Sequence, residues 1–191
     1  MTSDPLAADV ARVAAALAGD ERSYRAIVEE HQPMVARLMW RFTRDPLKLE
    51  ELVHDTFVQT YLSLPKYRGT GPLGGWIRTI AVRTGYRHWR EKLKDKDKEV
   101  LNEQMALEPW KQHGHDTPEE SPEAAHRALY EALAQLPPRD RLVLTLLYWE
   151  NCSTDEAARL SGWSGSMVRV QAFRARKKLK KLLEAKAHGN T

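Results

Sequence analysis

Near the end of the chain, the stretch SGSMVRVQAFRARKK, Ser164–Lys178, interleaves basic and apolar residues. Placed at about 100° per residue, Val168, Ala172, Ala175 and Leu179 fall together as a narrow inner stripe. Ser166, Arg169, Val170, Phe173, Arg174 and Lys177 fall roughly opposite. Guanidinium groups pair with guanine edges or phosphates, a valine methyl meets a thymine methyl, and a serine hydroxyl bonds either way. The outer face therefore has the chemistry to position and to read DNA; the competing reading is a basic, solvated helix face. Phe173 favours a contact, either with DNA or with a neighbouring helix, because an aromatic ring on an outer face is costly to leave in water.

Other reactive groupings are weaker. His113, His115 and Asp116, in HGHD, supply three metal-ligand types in a polar segment, with no fourth ligand and no supporting shell in view. His54 and Asp55 are adjacent on a helical pattern, so they point to different faces and do not form a dyad. GTGPLGG lacks the Lys and Ser/Thr that follow a phosphate-cradling loop. No catalytic residue, metal or cofactor is expected, and a metal-dependent enzyme built on HGHD is the least favoured function.

The elements that must carry the basic face are legible upstream. STDEAARL opens with Ser153 and has Glu156 three positions on, the spacing of a capping box. Gly162 then makes a turn, and Ser164 caps a longer helix: short helix, tight turn, basic helix is the helix-turn-helix order. RLVLTLLYW, Arg141–Trp149, is read as helix, because Pro137 and Pro138 suit a helix entry and Leu142, Val143, Leu146 and Leu147 keep helical spacing.

In the first half, Tyr24, Ile27, Val28, His31, Met34, Val35, Leu38, Met39 and Phe42 form one stripe, with a kink or break expected at Pro33. Leu49, Leu52, Val53, Thr56, Phe57, Thr60, Tyr61 and Leu64 form a second. After RGTGPLGG a third helix puts Trp76, Ile77, Ile80, Ala81 and Thr84 inside, and Arg78, Arg83, Arg87 and Arg90 outside. Beyond Glu91 the periodicity is lost and charge, Pro and Gly gather, as in a linker, with acids late at Asp116, Glu119, Glu120 and Glu123. The expected fold is all-α, two helical domains joined by a flexible linker.

Composition agrees with a soluble chain of one or two domains, filling one moderate core or two small ones. There are 191 residues, 42% hydrophobic, and 30 Lys plus Arg against 26 Asp plus Glu. The excess is concentrated at the C-terminus, where Arg169, Arg174, Arg176, Lys177, Lys178, Lys180, Lys181 and Lys186 face Glu184 alone. The single Cys152 forms no internal disulfide, which suits a reducing compartment. The start, MTSDPLAADVARVAAALAGDE, has no basic segment before its apolar block, and no later run reaches bilayer length. A cytoplasmic protein with no membrane insertion of its own is expected.

The two blocks carry a resemblance. ELVHDTFVQTYLSLPKYRGTGPLGGWIRTIAVRTGYRHWRE resembles region 2 of the group IV, or extracytoplasmic function, sigma factors of the sigma-70 family. ALAQLPPRDRLVLTLLYWENCSTDEAARLSGWSGSMVRVQAFRARKKL resembles their region 4. The resemblance implies region 2 over residues 1–92, a linker over 93–122 and region 4 over 123–187. It implies a factor that binds core RNA polymerase, recognises the −10 and −35 promoter elements and directs initiation.

By position, Glu51, Asp55 and Gln59 would dock on the clamp helices of the largest polymerase subunit, with the flap as a further contact. The −10 strand would be held by Lys66, Tyr67, Arg68, Thr70, Arg83, Arg87, His88 and Trp89, with Trp76 assigned to the core instead. The outer face of the helix Ser164–Lys178 would enter the −35 major groove, and the linker would thread through the polymerase cleft. An anti-sigma protein is a further implied partner.

Departures from the family pattern fall at Thr70–Gly75, where an acidic or Ser residue and then a Phe are usual, and at Arg83, often Asn. Met167, Val170 and Gln171 stand where Thr, Ser and Arg are common, which suggests methyl contacts with thymine. The rival function is a stand-alone helix-turn-helix regulator with a helical sensor or dimerisation domain, which would not need the N-terminal basic helix.

Overall fold

A computed structural model describes the backbone of residues 5–100 and 122–188, and the side chains of residues 5–93 and 128–185. Among the described residues all regular structure is helical, and the chain divides into two compact units whose main boundary falls after Trp89.

The first unit holds α1 (Pro5–Leu17), α2 (Glu21–Met39), α3 (Pro46–Ser63), a single 3-10 turn (Leu64–Lys66) and the greater part of α4 (Leu73–Val100), which runs on past Trp89. Each of α2 and α3 starts on its own aspartate. Asp20 accepts from the Arg22 amide at 3.1 Å, and Asp45 from the Leu47 amide at 2.9 Å. These caps satisfy amides that the first helical turn leaves without partners.

The expected stripes supply the core. Ile27, Val35, Leu38 and Met39 of α2 are buried with Leu52, Phe57 and Leu64, and each such side chain contributes about 1.5–3 kcal/mol of burial. Thr56 and Thr60 are buried as well, and their hydroxyls donate to the carbonyls of Leu52 and Thr56 at 2.7 and 2.8 Å, so neither is left without a bond.

At two places the helices run further than the sequence pattern suggests. Pro33 does not break α2, which continues to Met39. Pro33 and Glu29, whose carbonyl loses its donor, are both exposed, so the carbonyl is open to solvent rather than left unsatisfied in the core. The second concerns α4, which runs on to Val100 through KLKDKDKEV, a stretch read as connector. Its lysines and glutamate are good helix formers, so no apolar stripe is required. The residues His113, His115 and Asp116 lie outside the described residues, as do Glu119 and Glu120.

The second unit holds α5 (Pro122–Gln135), α6 (Pro138–Leu144), a π-helical turn (Thr145–Trp149), α7 (Thr154–Ser161) and α8 (Gly165–His188). RLVLTLLYW is thus helical, as its spacing predicts, but its second half widens into the π turn. Helices α5 and α6 both pack on α8, with Leu133, Leu142, Val143, Leu146 and Val168 in the core between them.

Candidate nucleic-acid interfaces

The capping box forms as the spacing predicts. Glu156 accepts from the Ser153 amide at 2.8 Å, and the Ser153 hydroxyl accepts from the Glu156 amide at 3.2 Å. Gly162 takes φ +76°, a left-handed backbone that an L side chain rarely adopts, and turns the chain between α7 and α8. The Ser164 hydroxyl then accepts from the Met167 amide at 3.2 Å and starts α8.

With both ends set, the two faces of α8 separate. Val168, Ala172 and Ala175 are buried, whereas Ser166, Arg169, Val170, Phe173, Arg174 and Lys177 are all exposed. Val170 is 50% and Phe173 64% exposed, so neither packs on a neighbouring helix. The result is a basic surface with two apolar contacts set among its arginines.

Asp140 was not singled out by its sequence. It is 1% exposed, and its carboxylate accepts from Gln171 Nε2 and from Lys178 Nζ, each at 2.6 Å. A carboxylate buried without such donors would be strongly destabilising. Gln171 and Lys178 therefore tie α8 to the first turn of α6. The available signal was PRDR at a helix entry, where an acid also suits the helix dipole.

In the first unit, the loop before α4 is compact. The Tyr67 ring lies 5.5 Å from the Trp76 ring, and its hydroxyl donates to the Gly71 carbonyl at 2.8 Å. Burial, and then the nearby Asp9 carboxylate, push the Tyr67 phenol above its ordinary range, so it remains a donor at neutral pH. Lys66, Arg68 and Thr70 are exposed around it. On α4, Arg83, Arg87 and Arg90 are exposed at spacings of four and three, a cationic row along one side. His88 is half-buried.

Trp89 is not available to nucleic acid, contrary to the expectation from its basic neighbours. It is 5% exposed, its indole donates to the Phe42 carbonyl at 2.7 Å, and its ring lies 4.4 Å from that of Phe42. The inner and outer tryptophans are thereby exchanged in part: Trp76, assigned to the core, is half-buried against Tyr67. The spacing carried the signal, since Val82, Gly85 and Trp89 recur at three and four, and the buried side of α4 is wider than one stripe.

Glu51, Asp55 and Gln59 line up on α3, with Glu51 exposed and ion-paired to Lys48 at 2.5 Å. Beside that row, α2 and α3 frame an apolar groove of about 600 Å³ lined by Tyr24, Val28, Leu49, Val53, Phe57 and Tyr61 among others. Sequence reasoning placed these side chains in stripes but did not foresee that part of both stripes stays open. Tyr24 closes one wall, donating to the Phe57 carbonyl at 2.5 Å, and burial pushes its phenol up to about 12.

A capped two-helix turn presenting a basic outer face, joined to a separate helical unit with a cationic row, defines a two-part, all-helical DNA-binding protein. Comparison with known families is specific. Residues 27–94 match sigma-70 region 2 and residues 126–179 match sigma-70 region 4. The RNA polymerase sigma-H factor of Pseudomonas aeruginosa is 27% identical over 173 residues, covering 87% of this chain and 89% of its own. The RNA polymerase sigma factor YlaC of Bacillus subtilis is 29% identical over 163 residues, covering 84% and 90%.

The solved structure of CnrH in complex with the cytosolic domain of CnrY shares the fold, with TM-score 0.57, 24% identity and coverage of 93% of this chain and 98% of that one. RpoE of Bartonella quintana, solved in complex with the anti-sigma factor NepR, does so at TM-score 0.56, 20% identity and coverage of 85% and 98%.

The chain belongs to the sigma-70 family as an extracytoplasmic function sigma factor, the class of protein that joins core RNA polymerase and directs initiation at promoters. The region 2 match separates it from a stand-alone helix-turn-helix regulator, which has no such unit. No described helix is long and apolar enough to cross a membrane, and the described residues contain no cluster fit to hold a metal ion.

Proposed function

We propose that the two units divide promoter recognition between them in a definite way. The α8 face of Ser166, Arg169, Val170, Phe173, Arg174 and Lys177 enters the −35 major groove. Its arginines take phosphates or guanine edges, and Val170 and Phe173 meet thymine methyls. Lys66, Tyr67, Arg68 and Thr70 with Arg83, Arg87 and His88 hold the unpaired −10 strand, cations tracking its phosphates and exposed bases stacking nearby. Trp89, which is buried, is left out of this proposed set.

Glu51, Asp55 and Gln59, with the apolar groove beside them, receive the clamp helices of the largest polymerase subunit, while the second unit meets the flap. A helix laid in a hydrophobic groove is a recurrent mode of recognition. We extend to this chain the anti-sigma partnership of RpoE, with the groove contested between inhibitor and polymerase. The protein acts in the cytoplasm and performs no catalysis itself.

The observation that carries the reading is Phe173, held 64% exposed between arginines on a helix whose opposite face buries Val168, Ala172 and Ala175. The test is transcription by purified protein and core polymerase on a promoter library. Promoter-dependent transcripts with defined −10 and −35 elements support it. Binding of duplex DNA with no conversion of core to specific initiation overturns it.

A further inference from the structure

Unlike α2 and α3, α4 has no cap of its own. The residue before it is Pro72, whose side chain accepts no hydrogen bond, although this turn must present the loop that precedes it. The Leu73 amide is satisfied from a distance: it donates to Asp9 Oδ2 at 2.9 Å, a carboxylate on α1.

The next residue of α1 holds the other end of the same loop. Gly69 has φ +64°, and a Cβ placed there would lie 2.5 Å from Val10 Cγ2, so the chain approaches α1 as closely as its backbone allows. Between these two fixed points lie Thr70, Gly71 and Pro72, with Tyr67 bonded to the Gly71 carbonyl inside the curve. Helix α1 also packs against the 3-10 turn that opens the loop.

We infer that Asp9 is a specificity-positioning residue: with Val10 it fixes the shape of the Tyr67–Leu73 loop, and so decides which −10 bases that loop accepts. Helix α1 is then part of the reading apparatus although none of its side chains is assigned to DNA. This rests on the proposal that the loop reads the −10 element. Loss of the cap leaves the Leu73 amide without its partner and lets the first turn of α4 fray, which releases the loop at one end.

The experiment uses full-length protein with core polymerase on a library that varies the −10 element while the −35 element is fixed. Asp9→Ala lowers initiation at the preferred −10 sequence by about fivefold, the weight of one helix cap, and flattens the base ranking there. Core affinity and −35 preference stay unchanged. Asp9→Asn keeps an acceptor oxygen and retains the ranking. Pro72→Ser placed in the Asp9→Ala chain supplies a local cap and restores it.

Val10→Ala, at an exposed position that tolerates truncation, shifts the ranking at the same bases without touching the cap, so the proposal does not depend on one variant's folding. Uniform loss at all promoters with an unchanged ranking, or failure of Pro72→Ser to restore it, overturns the proposal. Lys66→Ala and Arg68→Ala run alongside. If they change the ranking and Asp9→Ala does not, only the role of Asp9 fails; if none changes it, the loop is not the −10 reader and both fail.

Discussion

Gln171 donates its amide hydrogen to Asp140 at 2.6 Å, joining α8 to the first turn of α6. Lys178, two turns further along α8, takes the other carboxylate oxygen. A residue in the helix proposed to read the −35 element is therefore bound to the scaffold. Gln171→Ala should leave the −35 base preference unaltered while lowering the stability of the full chain by about 1 kcal/mol in denaturant titration. Asp140→Ala, which leaves two donors unpaired, should cost about 1–3 kcal/mol. A changed −35 preference for Gln171→Ala would make it a reader after all.

Phe173 and Arg174 should show the opposite pattern. Both are exposed, so Phe173→Ala and Arg174→Ala should change stability by no more than about 0.5 kcal/mol. Each should weaken binding to −35 duplex about tenfold, within the range of a good base contact, with core affinity intact. If Arg174 holds a phosphate, its loss should also reduce the slope of log affinity against log salt by about one. Fluorescence anisotropy on labelled duplex, repeated across salt, separates the two.

Trp89 should behave as a core residue. Trp89→Ala should destabilise the chain by about 3–5 kcal/mol, and Trp89→Phe, which loses the bond to the Phe42 carbonyl, by about 1 kcal/mol. In the folded protein Trp89→Phe should form open promoter complexes normally, measured by permanganate reactivity of unpaired thymines. A folded Trp89→Phe chain that fails to open promoters would return the indole to the nucleic acid.

Alkaline stability should depend on Tyr24. An ordinary tyrosine loses its proton near 10, whereas burial holds that of Tyr24 to about 12. Between those values the folded chain keeps a proton that the unfolded chain has released, so the contribution is complete below pH 10 and is lost as pH rises through 12. Tyr24→Phe should lower stability near neutrality by about 1 kcal/mol, through the lost bond to Phe57, yet flatten the alkaline decline. Thermal melts by circular dichroism from pH 8 to pH 11 read both effects.

What the sequence disclosed was what short-range spacing determines. Ser153 and Glu156, Gly162 and Ser164 act within a few residues of one another, so spacing alone places the helix-turn-helix and its exposed face. Asp9 and Asp140 act across the fold, on Leu73 and Gln171, and no local pattern names such partners. Trp89 was misplaced for a different reason: basic neighbours suggested its environment, while its spacing from Val82 and Gly85 decided it. The open groove between α2 and α3 is also a tertiary property, since a stripe shows which side chains seek cover and not how completely they find it.

Gly85 lies against the Phe42 ring so closely that an added Cβ would sit 2.4 Å from Phe42 Cγ. That contact secures α4 from the side away from Arg83 and Arg87. The helix consequently has an anchored side and an exposed one: exchanging Arg83 and Arg87 need not disturb the packing, whereas any side chain at position 85 must displace Phe42. On the proposal that Arg83 and Arg87 hold the −10 strand, new promoter preferences would arise on this helix by surface substitution, and engineered ones should be sought there with Gly85, Phe42 and Trp89 held constant.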